Sequence, residues 1–218
     1  SEYKILGEFV KDVNREPAKL LAKVFILGFF SAIPVVLVEM ALGEVFPTEG
    51  ITNIIQIFIN VFIAVALVEE GFKWVITKMI AYNDKEFDEV YDIIVYSVFA
   101  SLGFACIENI LYVFGGGLMT AVLRAVLSIP GHACFGVMMG YFLAQAKLGS
   151  VNGNKDIQNK NYVLSILVPT LAHTCYDALL FGASALSSGI LILLFLLFDV
   201  AMVVLCFITV SKMSKIQQ

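Results

Sequence analysis

From 189 to 211 the chain reads GILILLFLLFDVAMVVLCFITVS, with Asp199 as its only charge. A helix needs about 20 apolar residues to cross the roughly 30 Å hydrocarbon core of a bilayer, and this stretch supplies them. Comparable segments lie at about 20 to 42, 51 to 80, 92 to 114, 118 to 147 and 162 to 182. In lipid, every backbone N–H and C=O must be satisfied inside the protein. Long continuous apolar runs without strand-like alternation are therefore helices. The expected fold is all-α, a polytopic membrane helix bundle of about six transmembrane helices. Because 60% of the 218 residues are hydrophobic and only 15% are charged, no sizeable soluble domain fits between the spans. Residues 1–218 are read as a single integral-membrane domain.

The breaks between segments carry turn chemistry: GEVFPTEG (43 to 50), YNDKEFDEVYD (82 to 92), GGG (115 to 117), GSVNGNKDIQNKN (149 to 161) and SALSSG (184 to 189). Basic residues are retained on the cytoplasmic side of a membrane. Lys4, Lys11, Arg15, Lys19 and Lys23, then Lys78 and Lys85, then Lys147, Lys155 and Lys160, and finally Lys212 and Lys215 all fall on one side of a six-pass chain. The opposite loops hold no basic residue apart from Arg124, just inside the fourth span, so both termini are expected in the cytoplasm. The first segment is too long for the apolar part of a signal peptide and has no small-residue cleavage pattern after it, so it is expected to stay as a span. Residues 1 to 18 mix apolar and charged positions, as a short interfacial helix would.

Composition names the membrane as partner and gives no reason to expect nucleic acid, since the net charge is −4 and basic residues never form a run. Cys106, Cys134, Cys175 and Cys206 lie far apart within spans, as neither a disulfide framework nor a Cys-x-x-Cys site.

Ionisable residues inside spans are costly, about 2.5–3.5 kcal/mol each on an insertion scale, and usually mark function. Span two carries Glu69, Glu70 and Lys73; span three, FACIENILY, carries Glu108; span four, PGHACFG, carries His132; span five, AHTCYD, carries His173 and Asp177. Spacings of three and four stack these residues on one helix face, so Glu70 can pair with Lys73 and His173 with Asp177. An ion pair at the end of a tilted helix would explain Glu70 and Lys73 but not the second glutamate. Gly136, one turn from His132, is expected to leave room beside the imidazole. Phe104 and Tyr112 read as packing residues, and Arg124 and Asp199 as structural or interfacial.

These patterns, Glu69-Glu70-x-x-Lys73, Phe104-x-x-x-Glu108-x-x-x-Tyr112, His132-x-x-x-Gly136 and His173-x-x-x-Asp177, occur in order and each in its own span between residues 69 and 177. Together they resemble the PrsW family of bacterial intramembrane proteases, with a more distant similarity to CAAX prenyl proteases and bacteriocin-processing enzymes. The resemblance implies a multi-pass protein of the bacterial cell membrane. It implies as substrate a single-span anti-sigma factor, whose first, extracytoplasmic cut leads to sigma-factor release in envelope stress.

Peptide hydrolysis needs a base for water, a group that stabilises the oxyanion and an acid for the leaving amine. Glu69 or Glu70 is the expected base; the sequence does not choose between them. His132 and His173 either stabilise the oxyanion or bind a metal. Two histidines and a carboxylate form a known set of three zinc ligands, with Glu108 or Asp177 as the third. The zinc helix pair His-x-x-x-His is missing, and the similarity to CAAX proteases points instead to a metal-free, glutamate-type site, so Zn2+ stays an open alternative. A rise of 1.5 Å per residue from each span's midpoint places the two histidines within about 3 Å of one depth, but separates Glu69 and Glu70 from Glu108 by about 14 Å.

Two other classes use similar residues. A proton- or ion-coupled transporter would bury the same carboxylates and histidines, though the halves show no inverted repeat. A haem protein could take His132 and His173 as axial ligands but would leave Glu69, Glu70 and Lys73 without a purpose.

Overall fold

The structure is a computed structural model and describes residues 16–87 and 89–216. The interfacial helix expected over residues 1 to 18 lies, but for its last residues, outside them. The described residues form helices α1 (Ala18–Gly43), α2 (Ile54–Ala81), α3 (Asp92–Val126), α4 (Ser128–Val151), α5 (Lys155–Ala185) and α6 (Gly189–Ile216). The fold is an all-α membrane bundle. Five helical stretches among the described residues are long and apolar enough to cross a membrane, and one of them, Asp92–Val151, runs α3 and α4 together.

Gly117 breaks that run. Its φ of 73° and ψ of −165° lie outside the helical region and in territory that glycine enters without a Cβ penalty. The chain then folds back on itself: Arg124 returns to Glu108 and Asn109, Ser101 Oγ donates to the His132 carbonyl (2.7 Å), and Gly136 rests on Val98. The reversal falls in the GGG segment where the sequence placed it. A second joint at Leu127 (φ −108°, ψ −57°) was not anticipated; it separates residues 118–126 from α4.

Local chemistry fixes other ends. Asn53 caps α2 by accepting from the Ile55 and Gln56 N–H groups (3.0 and 3.2 Å), and Asn154 caps α5 by accepting from Ile157 N–H (3.0 Å). α2 is not uniform. Its middle, Leu67–Ile76, is α-helical, but Phe62–Ala66 and Thr77–Ala81 are π-helical, with Leu67 N–H bonded to the Phe62 carbonyl and Tyr82 N–H to that of Thr77. Such single π turns are frequent at functional sites.

α1 and α3 cross where Gly28 meets the Ala100 backbone and Gly103 meets that of Phe25 and Phe29, contacts that leave no space for a Cβ. α6 packs on α5 through Phe195 against Tyr176 (ring centroids 4.8 Å apart) and on α4 where Cys206 Sγ meets the Cys134 carbonyl (3.7 Å), and it exposes Leu193, Leu197, Val204 and Phe207, side chains suited to lipid. At one end of the bundle Lys78 and Lys147 both approach the Tyr82 ring, 4.7 and 5.2 Å from its centroid, so the 82–91 loop and the end of α4 share that end. The 43–50 loop, residues 120–124 and the end of α5 share the other, where they line one cavity.

Candidate active site

That cavity has a volume of about 930 Å³ and reaches down to Glu69, Glu108, His132, His173 and Asp177. The side chains singled out in four different spans thus come together at its floor. Lys73, fully buried, is the hub: its Nζ lies 3.1 Å from Glu69 Oε2, 2.8 Å from Glu70 Oε1 and 3.1 Å from His132 Nδ1. His132 Nε2 lies 2.8 Å from Glu108 Oε2, and Glu108 Oε1 lies 2.8 Å from Arg124 Nη2. On the other side, His173 Nδ1 is 3.0 Å from Glu70 Oε1 and its Nε2 is 3.2 Å from Asp177 Oδ2. One chain of polar contacts therefore runs from Arg124 to Asp177.

The partners set the roles of the ring nitrogens. An ammonium only donates, so His132 Nδ1 accepts from Lys73, and the ring proton sits on Nε2 and is donated to Glu108. His173 stands between two carboxylates, to which an imidazole can only donate. Phe135 stacks on that ring at 4.6 Å and 19°, fixing its plane, and the two imidazole centroids are 5.5 Å apart.

Glu69 and Glu70 are not equivalent. Glu69 lines the cavity, whereas Glu70 is fully buried behind it, on Lys73 and His173. The depth separation of about 14 Å expected from the sequence does not exist: carboxylate oxygens of Glu69 and Glu108 and a nitrogen of His132 lie within 4.8 Å of one another. Midpoint counting treats side chains as points on the axis. Helical side chains lean toward their own N-terminus, and α2 and α3 are successive rods of opposite sense, so Glu69 and Glu108 lean toward each other.

Two groups among the described residues offer ligand atoms close enough for a metal ion: Glu69, Glu108 and His132, and Glu69, Glu70 and His173. Neither holds both histidines, so the ligand set His132, His173 and Glu108 is not gathered at one point. Oxygen and imidazole donors suit zinc. However, Lys73 already occupies Glu69 Oε2 and His132 Nδ1, and Glu108 occupies His132 Nε2, so an ion would have to displace one of these contacts.

Gly136 does not make room beside His132. A Cβ there would sit 2.8 Å from Val98 Cα and 2.9 Å from the Ser97 carbonyl, so the glycine serves the close approach of α3 and α4. Phe104 and Tyr112 do more than fill space, since Lys73 Nζ lies 4.4 Å from the Phe104 centroid and the Arg124 guanidinium 4.0 Å from that of Tyr112. Among the cavity residues that escaped the sequence reading is Glu39 of α1, whose Oε1 is buried with no hydrogen-bond partner among the described residues. The signal was available, an ionisable residue within an apolar span, but no second polar residue one turn away drew attention to it.

Known proteins resemble this chain over most of its length. A family model described as PrsW family intramembrane metalloprotease matches residues 16–209. The chain belongs to the PrsW family. Protease PrsW of Oceanobacillus iheyensis is 40% identical over 177 residues, 81% of this chain and 77% of its own length. Protease PrsW of Geobacillus kaustophilus is 36% identical over 175 residues (79% and 72%), and that of Bacillus subtilis 35% over 177 residues (81% and 77%). No solved structure matches the chain. As a PrsW family member it is a multi-pass bacterial membrane protein of the intramembrane protease class, and the family's description as metalloproteases accords with carboxylate and imidazole groups that could hold an ion.

Proposed function

We propose that this PrsW family member makes the first, extracytoplasmic cut in a single-span membrane-anchored anti-sigma factor, with Glu69 as the general base. The observation that carries this reading is that Glu69 faces the cavity while Glu70 is sealed behind it. Six passes with both termini in the cytoplasm fit the gathering of Lys78 and Lys147 at the end of the bundle away from the cavity. The cavity then opens to the extracytoplasmic side, through the 43–50 loop and the end of α5.

In this scheme Glu69 takes a proton from water as the water oxygen attacks the scissile carbonyl carbon. His173, held from behind at Nδ1 by Glu70, turns its Nε2–H from Asp177 to the oxyanion. When the C–N bond breaks, Glu69 passes its proton to the leaving amine. Glu70 and His132, the latter fixed by Glu108, hold the Lys73 ammonium against Glu69 and so keep the base in place. A second reading rests on the convergence of Glu69, Glu108 and His132: a zinc ion held there would polarise the carbonyl and acidify its bound water.

The test co-expresses the chain with a single-span anti-sigma-factor-like reporter. Glu69→Gln, Glu108→Ala, His132→Ala and His173→Ala should each lower cleavage by about 10²–10⁴-fold. Cleavage that survives all four substitutions sinks the assignment. Uptake of an ion into vesicles that depends on these same residues would favour a transporter.

A further inference from the structure

We propose that Arg124 is a positioning residue for the hydrolytic reaction, acting through Glu108 to hold His132 in its working orientation. The inference rests on the protease reading above. Arg124 lies after the Gly117 reversal, outside the family-like patterns, and is one of only two arginines in the chain; the other basic residues near the bundle are all lysines. The site uses what distinguishes an arginine. Nη2 reaches Glu108 Oε1 (2.8 Å) and Ser128 Oγ (3.1 Å), Nε donates to Asn109 Oδ1, and the guanidinium plane lies on Tyr112. A lysine ammonium, a point donor on a flexible stem, cannot make this planar set of contacts.

Glu108 is thereby split between two partners, one oxygen on Arg124 and the other on His132 Nε2. Without the guanidinium, the carboxylate would be free to turn about its terminal bond, and His132 would lose the acceptor that fixes its ring proton. Tyr112 also gains a purpose here: it lines the cavity and lies against the guanidinium. A merely structural role is the alternative, with Arg124 tying residues 118–126 to the part of α3 before Gly117. Asn109 separates the two, because it holds Arg124 without touching His132.

The experiment compares wild type, Arg124→Ala, Arg124→Lys and Asn109→Ala in proteoliposomes with the single-span reporter, and follows the ring nitrogens by NMR of the 15N-histidine-labelled protein. With only two histidines in the chain, His132→Ala assigns the signals. Arg124→Ala should lower kcat by about 10–100-fold with little change in KM, as loss of an orienting partner does elsewhere. Arg124→Lys should recover little of this, and millimolar guanidinium should restore part of the Arg124→Ala rate. The hydrogen-bonded Nε2 proton of His132 should be lost or shifted in Arg124→Ala and kept in Asn109→Ala. An unchanged His132 signal in Arg124→Ala overturns the proposal, as does equal loss of kcat in Asn109→Ala. A wild type that cleaves no reporter refutes the protease reading, and the NMR arm still decides whether Arg124 orients His132.

Discussion

Lys73 offers the sharpest test of the site as a physical object. Its ammonium is fully buried, is shared by Glu69, Glu70 and His132, and sits over Phe104. Replacing it with methionine keeps the volume and leaves the enclosed Glu70 without the ammonium, with His173 as its remaining partner. Removing one partner of a buried pair costs about 3–5 kcal/mol. For a chain of this size each kcal/mol lowers the melting temperature by about 2–4 °C, so Lys73→Met should melt roughly 6–20 °C below wild type. Trp74, the chain's single tryptophan, reports the event directly: it is the next residue in α2 and its indole donates to Ser165 Oγ of α5 at 2.8 Å. The assay is Trp fluorescence during heating of the detergent-purified protein. Lys73→Met combined with Glu70→Gln should regain more than half of the loss, because replacing both members of a buried pair costs far less than stranding one. If Lys73→Met melts within about 2 °C of wild type, the reasoning from buried charge is wrong.

Gly136→Ala should lower the melting temperature by an amount matching about 1–3 kcal/mol of overpacking, because a Cβ there presses on Val98 and Ser97. Reduced cleavage without any loss of thermal stability would instead return Gly136 to the vicinity of the imidazole. For the metal question, the occupied state of the His132 nitrogens leads us to expect cleavage to persist after exhaustive chelation of the purified enzyme, with far less than one zinc per chain by elemental analysis. Loss of cleavage that zinc restores would establish the second reading, with Glu69, Glu108 and His132 as the place to look for ligands.

The helices and most of their breaks were legible because lipid leaves a chain so few options: an apolar run must be a helix, and GGG supplies at Gly117 the residue where the chain turns, whereas the joint at Leu127 carried no such signal and residues 155–161 joined a helix. The pairs within one helix were legible too, Glu70 with Lys73 and His173 with Asp177, since a turn of helix is a fixed ruler. What lay between helices was not. Contacts such as His132 to Lys73, or Glu70 to His173, depend on how rods cross and lean, and midpoint counting pushed Glu108 away from its neighbours. The choice between Glu69 and Glu70 turns on the rotation of α2, which its π-helical segments alter in a way that no hydropathy pattern records. Gly136 was misread for a related reason: its spacing from His132 gives the face it shares, but the nearest backbone belongs to another helix.

The two π-helical segments also decide where α2 can change length. A turn closed from i to i+5 holds one residue more than an α turn, so deleting a single residue from Phe62–Ala66 or Thr77–Ala81 can be absorbed by closing the turn at i+4. The helix on either side then keeps its face. The same deletion within Leu67–Ile76 has no slack to draw on and turns everything beyond it by about 100°. Spare length flanks the charged segment of α2 on both sides, and the segment itself has none.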